Sequence, residues 1–152
     1  MSLDFETYAK EGKAFINLVC EELEIPVDKA NRVVRAILHA LRNRLTHEES
    51  FELLAQLPVS LKGVYVDGWK FNKDNNPIDH MYDFLEEVRK EDGGRSGYDF
   101  GNNLKAKFAV AVVLKTLNYI VSENEMNEIL SVIPLTLKKF LKDNIAGKGI
   151  TL

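Results

Sequence analysis

At 152 residues, 45% apolar and 28% charged, the chain has the size and composition of one soluble globular domain, neither disordered nor fibrous. A formal net charge of −3 gives the whole molecule no field that would gather nucleic acid or an anionic membrane. No apolar run approaches the roughly 20 residues that span a bilayer, and the single Cys20 rules out an internal disulfide framework and suits a reducing compartment.

The first residues, Met-Ser-Leu-Asp-Phe-Glu, lack the basic-then-apolar pattern of a secretory signal, so a cytoplasmic protein is expected. From Phe5 the apolar residues Tyr8, Phe15, Ile16, Val19, Cys20 and Leu23 recur at helical spacing and predict a first helix ending before Pro26. Asp28 is expected to cap a second helix carrying Val33, Val34, Ile37, Leu38, Leu41 and Leu45. Thr46-His47-Glu48-Glu49 has the spacing of a capping box and starts a third helix. Pro58 separates it from a short fourth one with Leu61, Val64 and Tyr65, stopped by Gly68.

Residues 71–77 are rich in turn formers and read as a connector. Ile78 to Glu91 then predicts a helix with Met81, Tyr82, Phe84, Leu85 and Val88 on one face. Residues 92–103 read as a long glycine-rich loop, followed by a long helix from Ala106 to Val121. Ser122-Glu123-Asn124-Glu125 repeats the capping-box spacing, and Pro134 again divides two short helices, the last with Leu137, Phe140 and Leu141.

The second half thus repeats the first. Lys29–Tyr65 aligns without a gap on Lys105–Leu141 at an offset of 76, with Lys29/Lys105, Ala30/Ala106, Val34/Val110, Leu38/Leu114, Leu41/Leu117, Glu49/Glu125, Glu52/Glu128, Leu54/Leu130, Pro58/Pro134, Leu61/Leu137 and Lys62/Lys138 identical. Most of these letters shape a fold. Two copies are too few for a solenoid. The expected architecture is one all-α domain of about eight helices, in which two four-helix repeats (about 4–70 and 78–144) cover each other around a pseudo-two-fold axis.

Leu41-Arg42-Asn43-Arg44-Leu45-Thr46, Glu48-Glu49, Ala55-Gln56-Leu57-Pro58, Leu61-Lys62-Gly63-Val64-Tyr65 and Gly68-Trp69 resemble the signature of the bacterial domain-of-unknown-function family 2267. The resemblance runs from about Phe5 to Leu141 and implies a small all-helical bacterial cytosolic protein. It brings no activity, cofactor or catalytic residue with it. The second half departs from the signature, with Val132-Ile133-Pro134 in place of Gln56-Leu57-Pro58 and no Gly-Trp pair after Phe140.

Arg32, Arg35, His39 and Arg42 fall at spacings of 3, 4 and 3 and share one face of the second helix. Arginine forks suit phosphate or carboxylate. The plainer alternative is a solvated face neutralised by Glu48, Glu49, Glu52 or acids of neighbouring helices. Tyr65 and Trp69 either present an aromatic anchor to a partner or close the end of the first-half core.

Other chemistry finds less support. The glycine-rich loop lacks the strand and spacing of a phosphate-binding loop, and a plain connector with Tyr98 or Phe100 tucked onto the bundle is the simpler reading. No metal is expected: no histidine follows a glutamate by three, and His47-Glu48-Glu49-Ser50-Phe51 lacks a second histidine. Asp79, His80 and Asp83 read as first-turn helix acids with a neighbouring histidine. Ser96 is not in a nucleophile elbow, and Cys20 lies among apolar neighbours as an inert thiol. No cofactor is implied. The expected function is a non-enzymatic protein-interaction module, as a homodimer or adaptor, with Arg32, Arg35, His39, Arg42, Tyr65 and Trp69 as its binding residues. Anion or nucleic-acid binding through the basic face is the second reading. An enzyme with a pocket between the repeats, lined by Asp79, His80 or the glycine-rich loop, is the third.

Overall fold

The structure, a computed structural model, describes residues 3–70 and 80–145. The chain is all helical there, with no strand among the described residues. The expected connector, 71–77, lies outside them, as do Ile78 and Asp79. Helix α1 spans Phe5–Leu23, α2 Val27–Arg44, α3 His47–Gln56, α4 Val59–Val66, α5 Met81–Asp92, α6 Ser96–Phe100, α7 Asn103–Asn118, α8 Glu123–Ser131 and α9 Leu135–Ile145. Eight of these have eight residues or more; α6 has five. None of the described helices is long and apolar enough to cross a membrane.

Local chemistry sets the boundaries. Asp4 caps α1 by accepting from the Thr7 N–H at 3.0 Å, and Glu24 ends it in the left-handed region at φ 54°. The start of α2 corrects the expectation of an Asp28 cap. Pro26, extended at ψ 159°, occupies the N-cap, and its carbonyl takes the Ala30 N–H at 3.0 Å. Asp28 falls in the first turn instead, where a carboxylate suits the helix dipole. Thr46 forms the full capping box with Glu49. Pro58 is the N-cap of α4, which keeps its missing N–H out of the helix interior.

The glycine-rich stretch is not an open loop. Gly93 at φ +75° ends α5, a 3-10 turn covers Gly93–Arg95, and α6 runs until Gly101 at φ +60°. Glycine tolerates both backbone conformations, so the punctuation that resembles a loop in sequence closes two short helices. Phe100 is buried, whereas Tyr98 is 65% exposed.

The core joins both halves. Ala30 and Ala106, Val34 and Val110, Leu38 and Leu114, Leu41 and Leu117, and Leu61 and Leu137 are all buried. The closest helix pairs cross between halves: α2 lies along α5, and α1 along α7. At the α2–α5 edge, Arg44 meets Glu87 at 3.0 Å and Asn43 donates to Glu91 at 3.0 Å. Helix α1 approaches α4 closely at Gly12, where an added Cβ would stand 2.6 Å from Ser60 Oγ. That hydroxyl donates to the Tyr8 carbonyl at 2.6 Å.

Candidate functional site

The basic stripe of α2 is occupied by the protein itself. Arg32 donates from Nε and Nη2 to the two Asp99 oxygens at 2.8 and 2.9 Å, a bidentate fork anchoring α6. Arg35 reaches Asp67 at 2.6 Å. His39 Nε2 lies 2.7 Å from the Val64 carbonyl, and because a carbonyl only accepts, that nitrogen carries the proton. Burial first, and then the charges of Arg42 and Arg35, pull the imidazole below its ordinary pKa, against the Val64 bond and Glu91. Arg42, 6% exposed, donates from Nη1 to the carbonyls of Tyr65 and Asp67 at 2.8 and 2.9 Å.

His39 and Arg42 are therefore interior groups, not part of a solvated face. The counter-charges come from Asp99, Asp67 and Glu91, acids of neighbouring helices as one of the two expected sources, and not from Glu48, Glu49 or Glu52. Tyr65 is fully buried and shares a 2.7 Å hydrogen bond with Ser50; burial pushes its phenol up to about 12. It does not serve as an exposed anchor. Trp69 is half-buried, edge-on to Tyr65 and His47 with centroids 5.8 and 5.7 Å away, and tilted against Phe51 at 6.0 Å. Among the proposed binding residues, the structure brings Arg42, Tyr65 and Trp69 together as one packed corner.

The cavity lies elsewhere. A cleft of about 760 Å³ opens between the C-terminal end of α1, the first turn of α2, α6 and α7. Leu23, Ile25, Phe100, Phe108, Ala109 and Val112 supply apolar wall. Some of its charges are held in ion pairs, and others act at longer range, as Lys29 does on Asp99. Lys115, buried, is paired with Glu22, and Asp99 is held by Arg32. Burial opposes ionisation of Asp99, but the Arg32 fork, the Asp92 hydrogen bond and the charges of Arg32 and Lys29 leave its pKa below the ordinary value. The neighbouring Asp92 is pushed up to about 7, by burial first and then by the hydrogen bond and charge of Asp99.

Lys29 and Lys105 remain, opposed by the exposed Glu24. Lys29 Nζ stands 4.6 Å from the centre of the Tyr98 ring, and Lys105 makes no ion pair among the described residues. Both sit at the third position of their helices, where the backbone dipole favours an anion over a lysine. The two lysines thereby add positive charge to the wall of a cleft that also carries Glu22, Glu24 and Asp99.

A second cluster lies at the α3–α8 contact, where Glu49 and Glu52 face Glu125 and Glu128. Burial, then the charges of Glu128, Glu52 and Glu49, pushes Glu125 up to about 7. His80 and Asp83 lie at the start of α5, away from both the cleft lining and this cluster.

A family model described as "Uncharacterized conserved protein (DUF2267)" matches residues 12–140. The chain belongs to the DUF2267 family. Comparison with curated proteins finds no match. The DUF2267 match covers α2, α6 and α7 whole and most of α1, so the cleft lies inside the shared domain.

Sequence reasoning passed over Lys29, Lys105, Lys115, Glu22 and Phe108. One signal was present: Lys29 and Lys105 are identical at the repeat offset, charged letters among repeated core letters.

Proposed function

We propose that this DUF2267 protein is a non-enzymatic small-ligand-binding protein. Its ligand would be an amphipathic anion, a carboxylate on a compact apolar body, bound between α1, α6 and α7. The carrying observation is the meeting of Lys29 and Lys105, at the starts of α2 and α7, beside the apolar wall of Phe100, Phe108 and Val112. A volume of about 760 Å³ falls in the range of about 300–1,000 Å³ typical of small-molecule sites. The setting we infer is a bacterial cytosol, in keeping with the lone Cys20. We also read the two halves as repeats, each contributing one of the lysines.

Calorimetric titration with a panel of aliphatic and aromatic carboxylates of graded length tests the proposal, with the matching amines as controls. Carboxylates should bind and amines should not. Lys105→Ala and Lys29→Ala should each weaken binding about tenfold, equivalent to about 1.4 kcal/mol, whereas Lys13→Ala on exposed α1 surface should leave it unchanged. A panel with no binder, or lysine variants that bind as tightly as the parent, would remove this reading.

A second reading, contact with a partner protein, draws on the corner where Phe51 (55% exposed) and Val66 (44% exposed) flank the half-buried Trp69.

A further inference from the structure

The α3–α8 contact gathers four carboxylates. Glu49 and Glu52 come from α3, and Glu125 and Glu128, their counterparts at the repeat offset, from α8. One oxygen each from Glu52, Glu125 and Glu128 lies within 4.8 Å of the others. Among the described residues, no lysine, arginine or histidine pairs with any of the four. Asp99 and Glu87, by contrast, are held by Arg32 and Arg44.

Glu125 carries the observation that distinguishes this cluster from an ordinary acidic surface. It is 2% exposed, and its Oε2 is sealed from solvent without a hydrogen-bond partner, as is Oε2 of Glu128. The capping chemistry explains how it is released to point there. In the first half the Thr46 N–H donates to Glu49 Oε1 at 2.9 Å, completing the box. In the second half Ser122 Oγ still accepts from the Glu125 N–H at 3.1 Å. The Ser122 N–H, however, donates to Gln56 Oε1 from α3 at 2.6 Å. Gln56 takes the place that the Glu125 carboxylate was expected to fill, and that carboxylate turns into the cluster. A buried oxygen left without a partner marks a place where a water or ion belongs, and a buried charge is normally paired or bound to a metal.

We propose that Glu52, Glu125 and Glu128, with Glu49 beside them, bind a hard divalent cation that ties α3 to α8. This departs from the expectation of no metal. The donor set is all oxygen, which selects the calcium, manganese and magnesium class over zinc or copper. Three oxygens within 4.8 Å of one another can surround an ion of either size. Magnesium keeps several waters and is usually held by one or two carboxylates, whereas calcium accepts several carboxylates in a flexible shell, so a set of three suits the calcium class better. Three or four carboxylates over-neutralise the ion's two positive charges, leaving further positions for water. The site is independent of the cleft and its ligand.

The test is calorimetric titration of chelator-treated protein with calcium, manganese and magnesium chlorides, paired with thermal melts. Calcium or manganese should bind with one-to-one stoichiometry and raise the melting temperature, with magnesium weaker by about tenfold or more. Glu125→Gln should weaken binding at least tenfold and remove the ion-dependent shift. Glu123→Gln, exposed on the first turn of the same helix, should bind like the parent. Should Glu125→Gln fail to fold, Glu52→Gln at an exposed position decides, with the same loss expected. The proposal is overturned if the parent binds neither calcium nor manganese at millimolar concentration, or if the Glu52 variant binds them as the parent does.

Discussion

Arg35 and Arg42 share one stripe of α2, yet their surroundings differ in kind. Arg35 forms an exposed pair with Asp67, of the sort that contributes about 0–1 kcal/mol. Arg42 is enclosed and is the donor for two carbonyls at the end of α4, and losing a charged donor from buried acceptors costs about 1.5–3 kcal/mol. Urea denaturation should therefore separate them, with Arg42→Ala losing about 1.5–3 kcal/mol and Arg35→Ala less than about 1 kcal/mol. Helical spacing legibly placed both residues on one face. It carried no information about depth, because an arginine stem packs on apolar surface while its head finds polar partners either in water or in the chain. Tyr65 shows the same limit, since its letter fits an exposed anchor and a buried hydrogen bond to Ser50 equally well.

At the scale of elements, most helix starts were readable because caps are local: Thr46 needs only Glu49, three residues away. Besides the cap of α2, which falls on Pro26 and not Asp28, two misreadings have non-local or conformational causes. Ser122 shares its cap with Gln56, 66 positions earlier in the chain, which no local window contains. The 92–101 stretch is helical because glycines stand at its turning points, a use that composition does not distinguish from a loop. Gly93 adopts φ 75° and ψ −139° with open space around a hypothetical Cβ, so Gly93→Ala isolates backbone strain and should cost about 1–3 kcal/mol. Gly94 and Gly97 have ordinary φ and equally open surroundings. Alanine at either should be neutral or stabilise by about 0.4–1 kcal/mol, a contrast that chemical denaturation measures directly.

For the molecule as a whole, the Asp92–Asp99 pair links stability to pH. Asp92 faces Asp99, Arg32 and Arg95, and its folded value of about 7 lies well above the ordinary 3.8. Between those values the folded chain keeps a proton that the unfolded chain releases, so stability falls as pH rises through that window. The depressed Asp99 works in the opposite direction, losing its contribution only at pH below the ordinary carboxylate range. Thermal melts should show a higher midpoint at pH 5 than at pH 8, and Asp92→Asn should reduce that slope without removing it, since Glu125, also pushed up to about 7, loses its proton in the same window. Unchanged slope in the variant would assign the effect to other groups. This linkage was not legible beforehand, because it depends on α6 carrying Asp99 back toward the end of α5.

The crossed pairing of α1 with α7 and α2 with α5 has a consequence for synthesis. Helices α1 and α2 leave the ribosome long before their main neighbours exist, and chain elongation at about 5–20 residues per second imposes a wait of several seconds. During that interval their oily flanks have only each other and α4 for cover. Such distant pairings slow folding, so the nascent first half is the stage at which this protein is most open to chaperone capture and misassociation.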